Sequence, residues 1–96
     1  MEPFRENKVK IVVKSSGCGL YRPGDTICVD GVTVDSARSA RVCLTAIHSF
    51  YPFLYALRKH VTAEQMGFGE LTFQCPDCAE SVEFTLIPYR DAEAGA

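Results

Sequence analysis

Phe73-Gln74-Cys75-Pro76-Asp77-Cys78-Ala79-Glu80 sets a Cys-x-x-Cys turn between two runs that alternate as strands do. Before the turn, Leu71, Phe73 and Cys75 fall on one side of an extended chain; after it, Val82, Phe84 and Leu86 do the same. The pattern reads as a β-hairpin with a cysteine pair at its tip.

Upstream, Val9, Ile11 and Val13 alternate with Lys10, Val12 and Lys14, which predicts a half-buried strand with its lysines towards solvent. Ser15-Ser16-Gly17-Cys18-Gly19 breaks that strand with two glycines around a cysteine. Pro23-Gly24 suits the central positions of a turn, and Thr26 to Asp30 reads as a second strand ended by Gly31. Cys28 falls on the face opposite Ile27 and Val29, where a small half-buried filler is expected.

Asp35 or Ser36 can cap a helix, and a helical pattern runs from Ala37 to Val61. Cys43, Ile47, Phe50, Leu54, Leu57 and Val61 form its apolar stripe. Pro52 predicts a kink, or two helices meeting at Phe50-Tyr51. Arg58, Lys59 and His60 read as a solvated cluster that suits the helix dipole, and His48, Tyr51 and Tyr55 share another face. The expected fold is therefore α+β: a small antiparallel or mixed sheet with one long or Pro-kinked helix packed on one face.

Ninety-six residues are expected to make a single domain, 1–96, with about 1–7 and 90–96 loosely ordered. Hydrophobic residues make up 47% of the chain and charged residues 23%, proportions that support a packed core. A net charge of −2 gives no electrostatic footprint for nucleic acid, and no apolar run is long enough to span a bilayer. The first residues carry no apolar signal core, so a cytoplasmic location is expected. In that compartment five cysteines point to thiols or metal ligands rather than to a disulfide framework.

Two thiolates separated by two residues can bind one soft metal, because the turn brings their sulfurs together near backbone N–H groups. Cys75 and Cys78 have that spacing, and Cys18 and Cys43 are the first choices to complete a tetrathiolate. Zinc fits a closed structural site and a [4Fe–4S] cluster fits irregularly spaced cysteines; thiol type alone leaves both open, as it does a metal-free core. Dithiol redox catalysis is disfavoured, since the cysteine pair sits in a hairpin rather than opening a helix.

Three segments together resemble a known family. They are Cys18 leading to Gly24-Asp25 and Val29-Asp30-Gly31; Cys43-Leu44-Thr45-Ala46 with Tyr51-Pro52-Phe53-Leu54-Tyr55-Ala56-Leu57-Arg58; and Cys75-Pro76-Asp77. The family comprises small three-cysteine proteins of about this length, widespread in anaerobic bacteria and archaea and with no known substrate. The resemblance covers roughly Val9 to Pro88 and implies a thiol-lined site centred on Cys18, Cys43 and Cys75, with Cys78 an addition in this chain. Where the family has tryptophans near the helix cysteine and after the Ala-Leu-Arg segment, this chain has none.

The leading functional expectation is a small metal-binding accessory protein or subunit of a larger enzyme, its cysteines holding zinc or an iron–sulfur cluster. A larger protein subunit or self-association is the expected partnership. The rivals are an enzyme using Cys18 or Cys43 as nucleophile with His48 as base, and a metal-free interaction module.

Overall fold

The computed structural model describes residues 5–76 and 81–89. In chain order it holds β1 (Lys8–Ser16), β2 (Thr26–Asp30), β3 (Thr33–Val34), a single 3-10 turn at Ser36–Arg38, α1 (Leu44–Arg58), β4 (Thr72–Gln74) and β5 (Val82–Tyr89). The strands form one sheet in the order β3-β2-β1-β5-β4, with every neighbouring pair antiparallel. The helix packs on one face of it, so the architecture is α+β, as the periodicities predict.

Strand β1 lies at the centre because both of its edges find partners. Ile11 sits opposite Ile27 on one side and Leu86 on the other, and Val9 sits opposite Val29 and Pro88. Opposed residues share a face, so these apolar positions line up towards the helix. There Ala46, Phe50, Leu54 and Leu57 close the core. Phe50 stacks near Phe84 and Phe73 at 5.6 and 5.9 Å between ring centroids. Truncating a ring buried this deeply costs about 3–5 kcal/mol.

Two turns carry the conformations their residues demand. Asp25 N–H donates to the Arg22 carbonyl at 3.0 Å around Pro23-Gly24, with Gly24 at φ +93°. That positive φ at the third position is what a type II turn needs. The β2–β3 hairpin turns on Gly31-Val32, with Gly31 at φ +61° in the first central position.

Strand β1 carries a bulge. The register against β5 shifts between Val13 and Ser15, so Val13 opposes Phe84, Ser15 opposes Glu83 and Ser16 opposes Val82. The extra residue, Lys14, changes the parity of the strand. Ser16, which simple alternation would turn away from the helix, comes onto the helix side with the loop that follows it.

The helix departs from its sequence reading at both ends. It begins at Leu44, not Ala37, because residues 35–40 satisfy the outer edge of β2 instead. Asp35 N–H donates to the Cys28 carbonyl, Ala40 N–H donates to the Thr26 carbonyl, and the Ser39 hydroxyl accepts from Cys28 N–H, each at 2.8 Å. Once those groups are committed to the sheet they are unavailable to a helix. At the other end α1 stops at Arg58, leaving Val61 outside it. His60 takes a left-handed conformation at φ +71°, its N–H reaching the Leu57 carbonyl and the Val61 N–H the Ala56 carbonyl, a Schellman-type close. Between its ends α1 runs as one helix through Pro52, which lies on the exposed side.

Residues 5–7 cross the helix C-terminus. Asn7 donates its backbone N–H to the Arg58 carbonyl and its side-chain amide to the Leu57 carbonyl, at 2.9 and 3.1 Å. Glu6 accepts from Arg58 Nε at 2.7 Å and from Lys59 Nζ at 2.9 Å. Arg58 is therefore not the solvated residue its position suggests: it is 3% exposed.

The Arg58 and Lys59 hydrogen bonds hold the Glu6 carboxyl at about 2, well below its ordinary value. A depressed carboxyl contributes stability that is complete above the unfolded value of 4.5 and is lost as pH falls from there through about 2. Glu6→Gln should lower the denaturation midpoint near neutral pH and flatten its fall between about pH 5 and pH 2. Urea titrations across that range check this; an unchanged acid limb contradicts it.

Candidate functional site

The thiols converge at the end of the sheet where β1 leaves, β5 enters and α1 begins. Cys18 lies in the loop beyond the β1 bulge. The loop is held by the Ser16 hydroxyl, which bonds to Cys18 N–H at 3.1 Å and to the Cys18 carbonyl at 2.9 Å. Leu20 N–H points at Cys18 Sγ, at 3.4 Å. Cys75 follows β4, and its N–H donates to the Val82 carbonyl at 2.8 Å, closing the ladder of the last hairpin. Cys43 is the N-cap of α1, with no side-chain cap bond. All three are half-buried against the apolar core.

Tyr21 ties these pieces together. Its hydroxyl donates to the Arg41 carbonyl at 2.6 Å and accepts from Cys43 N–H at 2.9 Å, so it fixes the backbone that leads into α1. Its ring meets Phe84 edge-on at 5.5 Å. Burial pushes the phenol above its ordinary value, the Cys43 N–H hydrogen bond pulls it back, and thiolate charge on Cys43, Cys18 and Cys75 acts in the same direction as burial. One hydroxyl thus feels three thiols that come from three different parts of the chain.

Cys78 lies outside the described residues. Among the described residues no group of three or more His, Cys, Asp or Glu side chains stands close enough to hold a metal ion as it is. What the fold brings to one end of the sheet is three half-buried cysteines, each within electrostatic reach of one buried hydroxyl. A backbone N–H is aimed at one of the sulfurs, and the first turn of α1, whose N–H groups lack helical partners, belongs to the same end.

Cys28 is elsewhere. It is buried on the opposite face of the sheet, its Sγ 3.7 Å from the Arg38 carbonyl. There Tyr89 is pushed up to about 12, by burial first and by the Cys28 thiol after it. His48 lies on the exposed side of α1, two residues from buried Ala46 and two from buried Phe50. No hydrogen bond joins it to a thiol among the described residues. Tyr51 and Tyr55 are part-exposed, at 42% and 48%, with ring centroids 6.4 Å apart. No helix of the described chain is long and apolar enough to cross a membrane.

A scan against protein-family models matches none, and searches of curated proteins and of solved structures find no match. The likeness to three-cysteine proteins therefore rests on Cys18, Cys43, Cys75 and the segments around them.

Tyr21 is the residue that sequence reasoning passes over, since between Gly19 and Pro23 it reads as part of a turn. Tyr21→Phe should leave the Arg41 carbonyl and the Cys43 N–H without their partner, at a cost of about 1–3 kcal/mol. Denaturant unfolding of the variant measures this, and a change within about 0.5 kcal/mol would show the hydroxyl to be dispensable.

Proposed function

We propose that this chain is a small metal-binding accessory protein, cytoplasmic, whose Cys18, Cys43 and Cys75 hold a soft metal centre with Cys78 as the fourth ligand. What supports this reading is that Cys18, Cys43 and Cys75, from a loop, a helix cap and a hairpin, all pack against the core at one end of the sheet, within electrostatic reach of the Tyr21 hydroxyl. Cysteines that merely fill a core have no reason to gather at one end. Cys28 shows the contrast, lying outside the core cluster that the other described cysteines pack against.

Thiolate sulfur suits zinc in a closed site or a [4Fe–4S] cluster. Either centre is favoured by N–H donors near sulfur and by exclusion of water, and this end of the fold offers both: Leu20 N–H to Cys18, and the apolar packing around all three cysteines. The chain brings no nucleophile, base and oxyanion donor together among its described residues. That favours a role in support of a larger protein over catalysis by the chain alone.

The test is metal and acid-labile sulfide analysis of protein purified without oxygen, with Cys75→Ser and Cys28→Ser beside it. The wild type and Cys28→Ser should carry one zinc ion or one cluster per chain, and Cys75→Ser should lose it while far-UV circular dichroism reports whether it folds. Metal-free wild-type protein, or equal metal in a folded Cys75→Ser variant, would overturn the proposal.

A further inference from the structure

A cleft of about 120 Å³ lies between the β2–β3 hairpin and α1, on the side of the molecule where Val42 rather than Cys43 forms the wall. Its lining is mostly aliphatic, chiefly Val29, Val34, Ile47 and Leu54, with Thr33, Tyr51 and Arg58 as the polar members. A cavity of about 150 Å³ with such walls holds a benzene-sized molecule. This one is suited to a hydrocarbon group of about four carbons.

Arg58 makes the cleft more than a packing gap. It is 3% exposed, and its side chain spends one donor on Glu6 and one on Tyr51, the latter at 3.0 Å. A guanidinium has five N–H donors; five less two leaves three without a hydrogen bond to a described residue, and the guanidinium also lies 5.4 Å from the centre of the Tyr55 ring. A guanidinium with N–H donors to spare in an aliphatic wall is the chemistry that recognises a carboxylate carried on a short apolar chain.

We propose that this cleft binds a short-chain apolar monocarboxylate. The carboxylate takes the remaining Nη donors of Arg58 and the hydrocarbon lies against Val34, Ile47 and Leu54. The assignment is independent of the thiol end and stands whether or not a metal is present.

The probe is 3-methylbutanoate, titrated into the full chain and followed by methyl NMR shifts, with 3-methylbutanamide as its uncharged isostere. Saturable shifts at Val34, Ile47 and Leu54 are expected, with a Kd on the order of 1 mM or tighter, as befits so small a ligand. The amide should bind about tenfold more weakly or worse, because it cannot use the charge of Arg58. Val34→Phe fills the cleft from a position 37% exposed, so the fold tolerates it and binding is lost. Absence of saturable shifts, equal affinity of acid and amide, or undiminished binding to a folded Val34→Phe variant would each overturn the proposal.

Discussion

The double pairing of strand β1 is the constraint from which the rest follows. Val9 and Ile11 are wholly buried and Val13 is 1% exposed, because each is flanked by a residue of β2 or β5 on the same face and covered by α1. A strand held on two edges and roofed by a helix has one register, since a slip of one residue would turn three aliphatic side chains into solvent. Both ends of the molecule inherit their geometry from that register. One end gathers the cysteines and Tyr21, and the other ties Glu6 and Asn7 to the close of α1.

The two ends use polar chemistry differently. At the thiol end a buried phenol bonds the backbone on either side of Val42, so the lead into the helix is fixed by a residue far away in the chain. At the other end Asn7 takes up helix carbonyls while Glu6 neutralises a buried guanidinium. In each case the helix is positioned by side chains outside it. This suits an apolar stripe that alone leaves the helix free to slide along the sheet.

Much of the architecture is legible in the sequence because it rests on local periodicity. The alternation at Val9, Ile11 and Val13, the Pro23-Gly24 turn, the closing hairpin and the Phe50-Leu54-Leu57 face all appear where the pattern puts them. What the pattern misses depends on pairing across the chain. Residues 37–40 have helical spacing but are drawn to the β2 edge by bonds that no local rule contains. Arg58 looks solvated until Glu6, more than fifty residues earlier, is seen beside it. The cysteines were legible as candidates by residue type and by resemblance. Their common neighbour Tyr21 was not, because its role comes from the fold rather than from any spacing.

The bulge at Lys14 makes the position of Cys18 a matter of counting. Deleting one residue there would restore unbroken alternation and carry the Ser16 loop to the opposite face, while Val9, Ile11 and Val13 kept their partners. Chain length at this point therefore acts as a frame for chemistry, separate from side-chain identity. A descendant or a designed variant could keep every cysteine and a stable sheet and still lose the convergence of sulfurs, by a change that alters no functional residue at all.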